Sequence, residues 1–143
     1  MLKITRINKE DKSVVESILN RELDTQSLHN LLAIYDDKNI LGCASYKTED
    51  GIAYLKDFIV LDKTSEGILK DGLIKSLLNL ADLNGIKLFL IKKDINEKFF
   101  KKIGFMDLSE REFIVSENLK DEEYIYAILP DFFNTACHSK KRS

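Results

Sequence analysis

The residues of this chain that could carry chemistry are few and scattered. Its two cysteines, Cys43 and Cys137, lie far apart without CxxC spacing, and its two histidines, His29 and His138, complete no metal ligand set. Cys137-His138 puts a thiol beside an imidazole, the pairing an activated sulfur nucleophile uses, but here the ordinary reading is a free thiol beside a solvated ring. His29 reads as a polar residue leading into a strand. The stretch Ile95-Asn96-Glu97-Lys98-Phe99-Phe100-Lys101-Lys102-Ile103-Gly104-Phe105 is more specific. A short helix with Phe99, Phe100 and Ile103 on one side must dock that face on something, and Gly104 stands where a helix ends on a left-handed residue. Packing and ligand binding both account for such a face.

Bulk composition narrows the classes. The 143 residues suit one domain with one core, and 44% hydrophobic with 32% charged residues is ordinary for a globular chain. With 22 basic against 24 acidic residues the net charge is -2, which gives no global field for nucleic acid. The start MLKITRINKE has no apolar signal region, and no apolar run approaches the roughly 20 residues of a membrane span. A cytoplasmic protein without membrane partners is the expectation.

Periodicity then supplies the elements that must position any site. Leu2 to Ile7 alternates as a half-buried strand, and Ser13-Val14-Val15-Glu16 is a capping box opening a helix that ends near Leu23. A strand from His29 to Tyr35, the turn Asp36-Asp37-Lys38-Asn39 and a strand from Ile40 to Lys47 form a hairpin. A second turn at Glu49-Asp50-Gly51 leads to a strand from Ile52 to Leu61. From about Thr64 the period turns helical, with Leu69, Leu73, Leu77, Leu80 and Ala81 widened by Ile74 and Leu78. Asn84-Gly85 closes that helix, and Ile86 to Ile91 is apolar enough for a strand covered on both faces. The short Phe-rich helix follows, then a strand after Phe105 and a last strand, Tyr124 to Leu129. Strand, helix, three strands, helix, strand, helix and two strands imply an α/β (α+β) domain with a mixed central sheet and helices on both faces.

This order, with Val60 ending a strand, Leu73, Ile74, Leu77, Ala81 and Gly85 along the long helix, and Phe99 to Phe105 in place of an fYeklGF element, resembles the GCN5-related N-acetyltransferase family. The likeness spans nearly the whole chain. The run from Glu66-Gly67 to Ile103-Gly104-Phe105 is also, more loosely, similar to the acetyltransferase-like domain of citrate lyase ligases. The resemblance implies acetyl-coenzyme A as co-substrate, no metal, and an amine acceptor that is a small molecule or a protein. A pyrophosphate would meet backbone N–H groups at the start of the long helix, and a pantetheine arm would lie between two splayed central strands. Cofactor contacts then fall on Phe58, Ile59 and Val60 of the strand, on Ser65, Glu66, Gly67, Ile68, Leu69 and Lys70 of the loop and first turn, and on Phe100.

Several positions depart from the family pattern. In ungapped register the loop's expected Gln or Arg is Ser65 and its two glycines are Ile68 and Lys70, while Gly67 stands one place early. Ser65 and Thr64 can cap the helix, and Lys63 or Lys70 can offer charge to a phosphate. The family's general base is often a Glu six residues before the Val; here that position is Tyr54, whose ordinary pKa near 10 makes it a poor base. Asp57 is the one carboxylate-bearing position on the strand, with opposite parity to Tyr54, and a bulge would turn it into the cleft. The family's Tyr acid is Phe100, which has no proton to give; the helix reads as keeping its packing, with Phe99 and Ile103 as core anchors and Phe100 facing the cleft.

The resemblance therefore implies an N-acetyltransferase with Tyr54 and Asp57 as candidate catalytic residues. Its alternative is a non-catalytic acyl-coenzyme A-binding or protein-interaction module with a degenerate site. One domain is expected over residues 1–130, followed by a tail, 131–143. There Phe132 and Phe133 fold back on the sheet or meet a second copy in a homodimer, and Lys140 to Arg142 form a solvated end.

Overall fold

The computed structural model describes residues 1–110 and 119–133. Seven strands form one sheet in the order β1-β2-β3-β4-β5-β7-β6. They are β1 (Leu2–Thr5), β2 (Leu31–Asp36), β3 (Asn39–Glu49), β4 (Ile52–Val60), β5 (Leu88–Lys92), β6 (Met106–Asp107) and β7 (Tyr124–Ile128). The helices are α1 (Lys12–Leu19), α2 (Thr25–His29), α3 (Glu66–Leu83) and α4 (Glu97–Ile103). No helix among the described residues is long and apolar enough to cross a membrane. Cys137, His138 and Lys140 to Arg142 lie outside the described residues.

The pairings follow from turn chemistry. Asp36 pairs with Asn39 across a two-residue turn, and Glu49 pairs with Ile52 across Asp50-Gly51. Asp50 and Gly51 both have positive φ, 53° and 79°, the geometry that lets a two-residue turn follow the twist of its strands. Strands β1 to β4 are thus an antiparallel meander. The next connection, through α3, crosses over and lays β5 parallel to β4, with Ala53 opposite Phe89 and Tyr54 opposite Leu90. β7 then pairs antiparallel with β5, and β6 with β7.

The long helix is built as its spacing predicts. Leu69, Leu73, Ile74, Leu77, Leu78 and Ala81 are buried on one side, each large side chain worth about 2 kcal/mol of apolar burial. They pack with Ile34, Ala53, Val60, Phe89, Ile91 and Phe100 in the main core, on the sheet face that α3 and α4 cover. α1 covers part of the opposite face, setting Val15 against Leu31, Ala33, Tyr35 and Cys43. A third cluster on that face joins Leu90, Leu108 and Tyr126.

Three local expectations are corrected. His29 ends the short helix α2 and does not begin a strand, so β2 starts at Leu31. Ser13-Glu16 does not act as a capping box: the residue at the N-cap of α1 is Asp11, and the Glu16 carboxylate accepts the Leu23 N–H at 2.7 Å. Within α4 Phe99 and Ile103 pack against the main core as expected, but Phe100 does not face a cleft. Phe100 is fully buried among Phe58, Phe99 and Phe105, while Phe99 is half-buried. Beyond Pro130 the packing continues, since Phe132 is buried with its ring centroid 5.3 Å from that of Phe105. A Cβ at Gly104, where φ is 132°, would lie 2.9 Å from the Phe132 ring, so glycine is required there for both conformation and space.

Candidate functional site

The site begins with a one-residue irregularity in β4. Ser45 pairs with Asp57 but Tyr46 pairs with Leu55, so Lys56 is an extra residue on β4, a β-bulge. Before it, Ala53 and Leu55 face the main core and Ile52 and Tyr54 face away; after it, Phe58 and Val60 face the core and Ile59 faces away. The bulge thus puts Asp57 on the same face as Tyr54, which strict alternation would have denied. A bulged strand also bends. β4 pairs with β5 at only Ala53 and Tyr54, immediately before the bulge, and from Leu55 onward its ladder runs to β3 alone. The two central strands diverge there, leaving one edge of β4 outside the ladder.

At the wide end of that divergence β4 runs into α3. The Asp62 carboxylate accepts the Thr64 N–H at 3.0 Å and shapes the loop. Ser65 stands at the N-cap without a side-chain cap bond. Glu66 reaches Lys70 at 3.0 Å and Lys63 at 3.7 Å, and these partners, Lys70 first, pull its carboxyl below the usual range. The Lys70 ammonium also donates to Asn96 Oδ1 at 3.0 Å, tying the first turn of α3 to the start of α4. Gly67 is exposed, with nothing within 4 Å of where a Cβ would stand, so its backbone is open to a ligand. Ile68 is exposed, whereas the Leu69 side chain is buried in the core and presents only its backbone. A helix start of this kind suits an anion through N–H groups and the helix dipole, and Lys63 and Lys70 add charge.

Phe58 and Phe100 meet where the strands part, their ring centroids 5.2 Å apart. Phe100 supplies no proton donor to this region. Across β4, Tyr54 is half-buried against Tyr124, with centroids 6.2 Å apart, and burial pushes its hydroxyl above the usual tyrosine value. Even less of it is ionised at neutral pH than its residue type suggests, so little tyrosinate is on hand to accept a proton.

Asp57 is enclosed by partners that the sequence did not reveal. Arg21 Nε donates to Asp57 Oδ1 at 3.3 Å, while Arg21 Nη2 and the Ser45 hydroxyl both donate to Oδ2. The side chains of Arg21 and Asp57 are 23% and 13% exposed, so water screens the pair only in part. The hydrogen bond to Asp57 raises the Arg21 pKa further. Asn20, in the left-handed region at φ 56°, ends α1 and turns the chain, setting Arg21 beside β4. That Asn-Arg step is the one local signal that could have pointed to Arg21; its partner stands 36 residues away. Cys43, on the neighbouring strand, is fully buried, and burial pushes its thiol up to about 12, so it is no nucleophile.

No protein-family model matches this sequence, and no curated protein matches it either. Solved structures do match. N-acetylglutamate synthase from Neisseria gonorrhoeae, complexed with coenzyme A and L-arginine, superposes with a TM-score of 0.70 at 17% identity, over 90% of this chain and 33% of that one. A probable acetyltransferase from Staphylococcus epidermidis gives 0.68 at 17% identity, over 90% of this chain and 99% of that one. A GCN5-related N-acetyltransferase from Kribbella flavida gives 0.58 at 10% identity, over 74% of this chain and 33% of that one. This chain has the fold of the GCN5-related N-acetyltransferases. It spans about a third of the length of the gonococcal synthase and nearly all of the staphylococcal protein. In this fold the diverging pair β4 and β5, the start of α3 and the Phe-rich α4 converge on one region, where the resemblance placed a cofactor.

Proposed function

We propose that the protein is an acyl-coenzyme A-dependent N-acetyltransferase that moves an acetyl group to an amine. The observation that carries this reading is the divergence of β4 from β5 after two paired residues, directly below the start of α3. It supports a pantetheine arm bonding the unladdered edge of β4 from Leu55 to Val60, and a pyrophosphate on the N–H groups from Glu66 to Lys70. Similarity to structures solved with coenzyme A supports the same choice of ligand.

In the reaction the nitrogen lone pair of a neutral amine attacks the thioester carbonyl carbon. A C–N bond forms, the C–S bond breaks, coenzyme A leaves as thiolate and the nitrogen gives up one proton. Tyr54 is held protonated, so it serves as a relay between amine and water. Asp57 is committed to Arg21 and Ser45, which makes it an anchor of the acceptor side more than a free base. Phe100 leaves the thiolate to be stabilised by water and the α3 dipole. Rate enhancement then rests chiefly on placing amine and thioester together.

The test is calorimetric titration of the purified protein with acetyl-coenzyme A, followed by thiol release in the presence of a panel of amines. Saturable binding with amine-dependent release is expected. Binding without release would make it a non-catalytic acyl-coenzyme A module, and absence of binding would overturn the reading.

A further inference from the structure

We propose that the hollow bounded by α2, β3 and β4 binds the carboxylate of an amino acid, the acceptor in the transfer proposed above, on which reading this inference rests. The hollow has a volume of about 230 Å³. That is below the usual range for drug-sized ligands and suits a fragment such as an amino-acid head group. It lies on the sheet face opposite α3 and α4, beside the bulge, and only the width of β4, about 5 Å, separates it from the divergent edge. A ligand seated here by its carboxylate brings across β4 an amine carried several bonds away on its side chain, since an α-amine stays two bonds from the carboxylate carbon.

Charge decides which end is seated. Arg21, Asp24, Lys47 and Lys56 are the ionised side chains of the lining. Arg21 is neutralised by Asp57 and forms a fixed wall, with only a long 3.4 Å bond from Nη1 to the Glu22 carbonyl on its other side. Asp24 is turned into its own helix, accepting the Ser27 N–H at 2.7 Å as the N-cap of α2. Lys56 makes no ion pair among the described residues, and Lys47 makes only a 3.9 Å contact with Glu49 between two exposed side chains. Asp24 keeps its charge while capping α2 and attracts Lys56, so the three cations Arg21, Lys47 and Lys56 stand against the two carboxylates Asp24 and Asp57 and leave one positive charge over. Ser45 and Asn30 add polar atoms to the lining. An anionic end is favoured there, and a bare diamine would meet two lysines.

The bulge ties this hollow to the chemistry. Lys56 is the inserted residue, so the same irregularity that parts β4 from β5 also delivers a cation to the acceptor face. The recognition is electrostatic and falls as salt rises.

The experiment needs no cofactor. Backbone amide shifts of Ser27, Ser45 and Lys56 are followed by nitrogen-15 NMR during titration with two matched pairs, L-serine against ethanolamine and L-lysine against cadaverine. Saturable shifts with both amino acids, and none with the decarboxylated amines, are expected. The double variant K47Q/K56Q should weaken amino-acid binding about fivefold or more, two exposed charge contacts being lost. Both lysines are exposed, so its melting temperature should match the wild type. The proposal is overturned if either amino acid fails to bind, if the amines bind as well, or if the double variant binds unchanged. A parallel coenzyme A titration followed at Gly67 and Lys70 reports on the transferase reading by itself, so the two failures are distinguishable.

Discussion

The two faces of β4 are held by opposite means. Toward α3 and α4 the strand presents Ala53, Leu55, Phe58 and Val60 to a dry core of aliphatic and aromatic side chains. On the other face Asp57 is fixed by a guanidinium and a hydroxyl in a half-wet setting. The first face is non-directional and tolerates modest rearrangement, provided volume is kept. The second depends on three groups in one geometry, and loss of any of them leaves polar atoms without partners. A shared strand thus serves as a forgiving scaffold on one side and as a polar surface of fixed geometry on the other.

The contrast breaks most visibly at Phe100. Truncation to Ala should cost about 3–5 kcal/mol in urea unfolding, because a fully buried ring in contact with three others leaves a cavity. Even Phe100→Tyr should cost about 1–3 kcal/mol, since the added hydroxyl enters a sealed aromatic cluster. A tyrosine variant as stable as the wild type would mean the ring faces an open cleft after all.

That reversal shows where sequence reading loses its grip. The period of α3 and the parallel pairing of β4 with β5 were legible because a six-residue buried stripe and the crossover rule each leave one solution. Phe99 and Phe100 were not separable, since neighbours on a helix point about 100° apart and the docking angle of α4 decides which is sealed. α2 was missed because Thr25–His29 is too short to show a helical period. In the site, Asp57 and the possibility of a bulge were visible on β4, but Arg21 reaches Asp57 only after the meander folds.

On the polar face, Asp57→Asn should cost about 1–3 kcal/mol by leaving the Arg21 guanidinium uncompensated. A double-mutant cycle with Arg21→Met would report the coupling, and additivity within error would show the pair to be decorative. A lesser effect is expected in acid. Lys93 and Lys101, in that order, hold the Asp107 carboxyl below its ordinary value of 3.8. A depressed pKa contributes stability that is present above that ordinary value and is lost as the pH falls through the folded one. Thermal melts should therefore show wild type exceeding Asp107→Asn at neutral pH and converging with it as the pH falls through the depressed folded value, below the ordinary 3.8. The smallest structural effect belongs to Gly67→Val. Its stability should stay within about 0.5 kcal/mol of wild type because the position is open. Its coenzyme A affinity, measured by calorimetry, should nonetheless collapse, and unchanged affinity would place the ligand elsewhere.

Lys56 gives the cleft an unusual genetic simplicity. Deleting almost any residue of β4 would invert every side chain beyond the cut, sending core residues to water. Deleting Lys56 would not, because Asp57 would inherit its place and the alternation on both sides of the bulge would join without a break. What would vanish is the bend, so β4 would be free to continue its ladder alongside β5 and zip the cleft shut. A single codon therefore separates a strand that leaves its neighbour after two paired residues from one that completes a sheet; on the proposed reading such a deletion should yield a folded protein that does not bind coenzyme A, and retained binding would sever the bulge from the site.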